Sequence, residues 1–142
     1  MVKAYDKAKW HYEGDYPKDL PPDNATTQIG MFLAWAIANH LEGDLHRQHS
    51  KEALEQVRRR QMTGPVFLSE QCDEALTNED LNDVGNAFAT AYYESNQFSA
   101  DYDNTLGKGV PTLYHIADTW ENYDRIAAVI DRRFKEWKNK GR

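Results

Sequence analysis

Apolar residues recur every three or four positions between residues 25 and 41, which predicts an amphipathic α-helix. Asp23 or Asn24 can supply the N-cap oxygen of this helix, and Gly43 can follow it as a left-handed stop. Residues off the main stripe are apolar too, and a helix that is apolar on most sides is usually central to a fold. The stripe comprises Ile29, Phe32, Leu33, Ala36, Ile37 and Leu41, and the off-stripe residues are Met31, Ala34, Trp35 and Ala38.

Three more segments have helical periodicity, at residues 51–61, 78–94 and 120–138. Short polar residues precede each of them, and such residues favour helix N-termini because their oxygens accept from free backbone N–H groups. The candidate caps are Ser50 for the first segment, Thr77 in a capping box with Asp80 for the second, and Asp118 or Thr119 for the third.

The remaining segments are short or irregular in pattern. Residues 66–68 are predicted as a short buried strand or a helical turn, and residues 113–116 as a short strand. Residues 95–111 are predicted as a polar connection with room for one helical turn. Residues 1–24 contain adjacent prolines and several aromatic residues, which predicts an irregular arm pinned to the body by its rings. The predicted fold is mainly α, a single-domain bundle of four to five helices over residues 1–142.

Composition narrows the class of protein. The 142 residues carry a formal net charge of −6, which argues against nucleic-acid binding because that requires a basic surface. The longest apolar run has eight residues, far short of the roughly 20 needed to span a bilayer. No apolar run marks a signal peptide, and the single cysteine, Cys72, suits a reducing compartment. We therefore expect a soluble cytoplasmic protein.

The charges are unevenly distributed along the chain. Residues 61–107 contain nine acidic residues and no Lys or Arg, whereas all 17 basic residues lie outside this block. A solvated surface with acidic helix N-termini accounts for some of these charges. A field of one sign also attracts a basic partner, because it raises the rate of encounter with opposite charge. Both interpretations stay open, since pairing with the basic ends of the chain could neutralise the block.

Several short patterns resemble catalytic or metal motifs. Residues 101–106 match the D-x-D-x-T-L signature of haloacid dehalogenase-type phosphatases, but no buried strand precedes them, so an Asx-rich turn is predicted. His40, His46 and His49 are predicted as surface histidines at a helix joint, because their spacing matches no known metal site. Acidic neighbours raise the pKa of Cys72 and disfavour a nucleophile. No catalytic set, metal or cofactor is predicted.

The segments YDKAKWHYEGDYP and IGMFLAW, at residues 5–17 and 29–35, resemble a family of small bacterial proteins of uncharacterised function. The similarity is close over roughly the first 40 residues. Small acidic proteins of this kind often serve as immunity proteins, and the resemblance therefore implies neutralisation of a bacterial toxin.

The leading hypothesis is a non-enzymatic immunity protein that binds a basic toxin domain through an acidic face. A rival hypothesis is an enzyme or small-ligand-binding protein with a pocket between the arm and the first helix, around Trp10, His11, Asp15 and Trp35. A third is a homo-oligomer that buries the off-stripe Met31 and Trp35 against a second copy. The predicted partner contacts are Asp73, Glu74, Glu79, Asp80, Asp83, Asp101, Tyr102 and Asp103.

Overall fold

The computed structural model describes residues 2–140, so Met1, Gly141 and Arg142 lie outside the described residues. The described chain is mainly helical, as the sequence predicts, and it also has one small two-stranded sheet. It has more helices than the predicted four to five. The α-helices are α1 Ala8–Tyr12, α2 Thr27–Ala38, α3 Asp44–His49, α4 Lys51–Arg58, α5 Gly64–Gln71, α6 Asp83–Tyr92, α7 Gln97–Leu106 and α8 Trp120–Asn139. The strands are β1 Ala4–Lys7 and β2 Ala75–Thr77, and 3-10 turns cover Pro22–Thr26, Asn78–Asp80 and Leu113–His115.

Helix α2 is the centre of the core, as its apolar composition predicts. Every residue from Ile29 to Ile37 is buried, including the off-stripe Met31 and Trp35. The Trp35 indole N–H donates to Asp131 on α8 at 2.7 Å. Because other residues of the same chain already bury Met31 and Trp35, these two side chains give no reason to expect a homo-oligomer.

The predicted ends of α2 are wrong in detail. Neither Asp23 nor Asn24 caps the helix, because the Pro22–Thr26 turn leads directly into it. At the other end His40, not Gly43, adopts the left-handed conformation, with φ of 59°. Gly43 is needed for a different reason: a Cβ there would lie 2.4 Å from the Glu79 carbonyl oxygen.

Helices α2 and α5 approach each other through glycine. A Cβ on Gly30 would lie 2.3 Å from the Pro65 backbone nitrogen, and one on Gly64 would lie 1.9 Å from the Gly30 oxygen. Gly64 and Pro65 lie in the first turn of α5, a position in which proline is tolerated. Residues 66–68, predicted as a strand or a turn, lie within this helix.

The N-terminal arm is more regular than predicted. Strand β1 pairs antiparallel with β2, with Asp6 opposite Leu76 and Lys7 opposite Ala75. Short α1 follows directly, and its Trp10 is 55% exposed, so this ring does not pin the arm. Strand pairing, together with ring contacts such as Tyr16 against Tyr114, attaches the arm to the body.

The secondary structure of residues 77–115 also differs from the prediction. The predicted helix 78–94 is divided into a 3-10 turn and α6, while the Thr77–Asp80 capping box is confirmed. Residues 95–111, predicted as a polar connection, contain the ten-residue helix α7. Residues 113–115 form a 3-10 turn instead of a strand.

Helix α8 begins and packs as its pattern predicts. The Thr119 side chain accepts a hydrogen bond from the Asn122 N–H and caps the helix. Arg133 on α8 donates two hydrogen bonds to Asp101 on α7, at 2.9 and 3.0 Å. The Tyr92 hydroxyl donates to the same carboxylate at 2.7 Å. These bonds attach α7 to α6 and α8.

We expect Gly30→Ala to lower the free energy of unfolding by about 2 kcal/mol or more, because the new methyl group would push the α5 backbone away. Urea denaturation at neutral pH measures this change. Gly14→Ala is the control, since its Cβ would lie 3.5 Å from the nearest atom, and we expect a change within about 0.5 kcal/mol. Equal stability of the two variants would contradict the close helix contact.

We expect Asp101→Asn to lower the free energy of unfolding by about 1.5–3 kcal/mol at pH 7, because it removes a buried charged acceptor. Burial alone would raise the pKa of Asp101, but hydrogen bonds from Arg133 and Tyr92 and the nearby guanidinium charges lower it overall. A lowered folded-state pKa adds stability above the unfolded-state pKa of about 3.9, and this stability is lost as the pH falls. The difference between the two proteins should therefore narrow below about pH 4.

The control for this experiment is Asp103→Asn, two residues along the same helix and exposed. We expect its free energy of unfolding to stay within about 0.5 kcal/mol of the wild-type value. A gap between wild type and Asp101→Asn that stays constant from pH 7 to pH 3 would refute the ionised Asp101–Arg133 pair.

Candidate functional site

Three of the eight predicted partner contacts are buried inside the protein. Asp80 accepts hydrogen bonds from Thr77 and contacts His46, and Asp101 pairs with Arg133. Tyr102 is fully buried. Because these side chains face the interior, they are not available to a partner on the surface of this structure.

The other five predicted contacts are at least partly exposed: Asp73, Glu74, Glu79, Asp83 and Asp103. Within residues 2–140, none of them forms an ion pair with a Lys, Arg or His. Glu94 is different, because Lys3 binds it at 2.9 Å. The basic ends of the chain therefore neutralise part of the acidic block and leave the rest of it charged.

A cleft of about 400 Å³ concentrates this negative charge. We call it the acidic cleft; it lies between α5, the Pro22–Thr26 turn and residues 116–118. Its lining has four carboxylates and no Lys or Arg, and Val66 beside them is 40% exposed. The carboxylates are Asp23, Glu70, Glu74 and Asp118.

The carboxylates of the acidic cleft come from four separate places in the sequence. Only Glu74 was among the predicted contacts; Glu70 belongs to the acidic block, but Asp23 and Asp118 lie outside it. Partial burial raises the pKa of Asp118, and a hydrogen bond from the Thr63 hydroxyl at 2.7 Å opposes that rise. A cation in the cleft would also favour the ionised form of this group.

A second cleft, of about 300 Å³, lies beside the arm, but residues 93–99 form its other wall and Gln28 is the one residue of α2 that lines it, so it differs from the pocket of the rival hypothesis. We call it the arm cleft. Trp10 and His11 line it together with Gln28 of α2. Two other residues of that hypothesis are elsewhere: Trp35 is in the core, and Asp15 lines a different depression near Pro17.

His11 is held on both sides in the arm cleft. Its Nε2 lies 2.8 Å from Asp6 Oδ1, and its Nδ1 lies 2.8 Å from the Tyr114 hydroxyl. The Tyr93 hydroxyl donates to the other oxygen of Asp6. Because both ring nitrogens have partners within the protein, His11 has no free nitrogen to act as a base on a ligand. Sequence reasoning missed Asp6, Tyr93 and Tyr114, since these residues meet only through the fold.

A third group of chemically active side chains consists of His46, Cys72 and Asp80, which we call the His46 cluster. The prediction of a surface histidine is wrong for His46, which is 1% exposed, although His40 and His49 are exposed. His46 Nε2 lies 2.7 Å from Asp80 Oδ1 and 3.6 Å from Cys72 Sγ. Within residues 2–140, this is the one group of three such side chains whose ligand atoms lie within 4.8 Å of one another.

The surroundings of Cys72 favour its thiol form over the thiolate. Burial raises its pKa, and the charge of Asp80 and a hydrogen bond to it raise it further. The predicted direction of the shift is confirmed, but the causes are burial and Asp80, not the sequence neighbours Asp73 and Glu74. A protonated thiol is a poor nucleophile.

The phosphatase-like segment has neither the predicted turn nor the arrangement that phosphoryl transfer requires. Asp101 and Asp103 lie within α7 instead of at the end of a buried strand. Asp101 is bound to Arg133, while Asp103 is exposed. The two carboxylates therefore do not face a common substrate position.

Comparisons with known proteins place the chain in a family without assigning an activity. No curated protein and no solved structure is similar enough to match it. In residues 2–140, no helix combines the length and apolar character needed to cross a membrane. Residues 4–116 match DUF7832, described as a domain of unknown function. The match starts at β1 and ends just after the Leu113–His115 turn, so it does not include α8. With most of its length matched, the chain belongs to the DUF7832 family.

Proposed function

We propose that this protein is a non-enzymatic binding protein whose acidic cleft holds a basic segment of another protein. In its specific form, the proposal is an immunity protein that neutralises a bacterial toxin in the cytoplasm of the producing cell. The observation that carries the proposal is the lining of the acidic cleft, which has four carboxylates and no basic side chain.

Charge complementarity determines the kind of partner. Among residues 2–140, none of the four carboxylates that line the cleft has an ion-pair partner. A Lys or Arg side chain that enters the cleft gains charge-assisted hydrogen bonds to these carboxylates. The exposed acids of residues 61–107 add a field of the same sign, which speeds the encounter with a basic surface.

Shape and apolar contact favour a protein partner over a free metal ion. The cleft is open to solvent, and its volume of about 400 Å³ is far larger than one cation needs. Val66 and Pro65 give its wall an apolar surface beside the carboxylates. An apolar centre surrounded by charged groups is the usual anatomy of a protein–protein contact.

The state of the titratable side chains supports binding over catalysis. His11 has both ring nitrogens engaged, and burial and the neighbouring Asp80 raise the pKa of the Cys72 thiol. Asp101 is committed to Arg133 and Tyr92. These groups are the strongest candidates for a base or a nucleophile in the described chain, and each is occupied within the fold.

We expect the double variant Glu70→Lys with Glu74→Lys to slow association with the toxin at least about tenfold and to flatten its salt dependence, because steering depends on charge. If a large secreted protein is encoded beside this gene, its C-terminal domain is the partner to test. Stopped-flow association at several salt concentrations measures the rate, and survival of cells that co-express the toxin measures neutralisation.

Glu13→Lys with Glu136→Lys is the matched control, because it changes the net charge equally at exposed positions outside both the acidic cleft and residues 61–107. We expect it to protect cells and to associate within about threefold of wild type. Equal slowing by both double variants would show that overall charge, not the cleft, governs binding. A wild-type protein that neither binds nor neutralises the neighbouring domain would refute the immunity role.

A second candidate function, small-ligand binding, is supported by the arm cleft. Exposed Trp10 offers a flat apolar ring, and Gln28 and Asn96 offer polar groups around the same space. This mixture suits a small polar ring compound. It would bind without chemistry at His11, since both ring nitrogens of His11 are occupied.

If the arm cleft binds such a ligand, compounds from a metabolite library should shift the NMR signals of the Trp10 indole N–H and the His11 backbone. Trp10→Ala should weaken these compounds about tenfold or more, because it removes the stacking surface, and it should leave the melting temperature unchanged because Trp10 is exposed. A library that leaves both signals in place argues against this second function.

A further inference from the structure

The His46 cluster joins three segments that are distant in the sequence. His46 lies on α3, Cys72 follows α5, and Asp80 ends the Asn78–Asp80 turn. The side chains of His46 and Asp80 are 1% and 5% exposed, while Cys72 is half-buried. An imidazole nitrogen, a thiol sulfur and a carboxylate oxygen therefore converge at one place.

The atoms around the cluster hold these side chains in position. Asp80 Oδ2 accepts from the Thr77 N–H at 2.7 Å and from its hydroxyl at 3.2 Å, which directs Oδ1 toward His46. His46 Nδ1 lies 3.2 Å from the Ser50 hydroxyl, and the Phe67 ring packs edge-on against the imidazole. Outer-shell hydrogen bonds of this kind fix the tautomer and orientation of metal-binding histidines.

We infer that His46 Nε2, Cys72 Sγ and Asp80 Oδ1 bind a tetrahedral divalent cation, Zn²⁺, with water as the fourth ligand. Imidazole, thiolate and carboxylate are all zinc ligands, and a soft thiolate disfavours Mg²⁺ and Ca²⁺. The inference does not depend on the acidic cleft or on the proposed function.

The distance from Cys72 Sγ to His46 Nε2 suits this ion, and the contact between His46 and Asp80 suits it after one local change. Tetrahedral zinc with ordinary bond lengths separates sulfur and nitrogen ligands by roughly 3.5 Å, and Sγ lies 3.6 Å from Nε2. Nitrogen and oxygen ligands are separated by roughly 3.3 Å in such a site. The 2.7 Å contact between His46 and Asp80 is that of a hydrogen bond, so its proton must leave and the two atoms must part slightly.

Charge and proton balance also favour the site. The thiol gives up one proton to solvent, and in the loaded site His46 binds the ion through Nε2 and keeps one proton on Nδ1, where the Ser50 oxygen accepts it. One thiolate and one carboxylate then balance the two positive charges of the ion. A neutral site avoids the large cost of burying net charge.

Cobalt substitution tests the site on the full-length protein, reduced and freed of metal with a chelator. We expect Co²⁺ to bind one per chain, with a thiolate-to-cobalt charge-transfer band in the near ultraviolet and intense visible bands of tetrahedral geometry. Zn²⁺ should bleach both sets of bands and raise the melting temperature of the protein. A spectrum of hexaaqua cobalt with no thiolate band would overturn the inference.

Variants separate the cluster from the surface histidines. Cys72→Ala should remove the charge-transfer band and weaken zinc binding by more than about 100-fold, since losing an outer-shell partner alone costs 10–100-fold. Ser50→Ala should weaken it about tenfold. His49→Ala should change nothing, because His49 is exposed and outside the cluster.

The wild-type cobalt spectrum stays decisive even if Cys72→Ala fails to fold, which circular dichroism would show. Binding that is lost in His49→Ala but kept in Cys72→Ala would assign the metal to the surface histidines and refute the site. If the toxin fails to bind while cobalt gives the thiolate spectrum, the proposed function falls and the metal site stands.

Discussion

The contact between the backbones of α2 and α5 determines where the candidate sites lie. Gly30 and Gly64 bring the helices so close that neither position has room for a methyl group. Helix α5 then presents Val66 and Glu70 to the acidic cleft and delivers Cys72 to the His46 cluster. One steric condition in the core thus positions both the acidic cleft and the buried His46 cluster, because a rigid helix transmits its position along its whole length.

The buried carboxylates of this protein differ from those of the acidic cleft in having charged or hydrogen-bonding partners. The buried carboxylates have partners: Asp101 binds Arg133, Asp80 binds His46, and Glu42 accepts from Arg58 at 2.7 Å. Burial alone would raise the pKa of Glu42, but the hydrogen bonds from Arg58 and Arg47 lower it overall. An unpaired buried charge is very costly, so the chain commits its cations there. The exposed carboxylates of the acidic cleft are left unpaired because water already solvates them.

The sequence predicted those features that depend on residues a few positions apart in the chain. The apolar periodicity of α2 and α8 and the Thr77–Asp80 capping box were readable, since each depends on residues a few positions apart. Helix α7 was not, because its polar sequence becomes stable through Asp101 and Arg133, 32 positions apart. The acidic cleft is formed by residues that are distant in the sequence. Counting acidic residues along the chain therefore revealed the acidic block, but the predicted contacts included only one of the four carboxylates that line the cleft.

The turn after α5 shows how the fold holds an unfavourable backbone in place. Asp73 and Glu74 both have positive φ, 53° and 62°, which costs about 1–2 kcal/mol for each residue other than glycine. Hydrogen bonds on both sides fix the turn: the Glu74 N–H donates to the Leu68 oxygen, and the Ala8 N–H donates to the Glu74 oxygen, each at 3.0 Å. The second bond comes from the N-terminal arm. The same turn follows Cys72 of the His46 cluster and carries Glu74 to the acidic cleft. The arm, the His46 cluster and the cleft therefore meet at one strained turn. Backbone strain of this kind persists only where the surrounding structure enforces it.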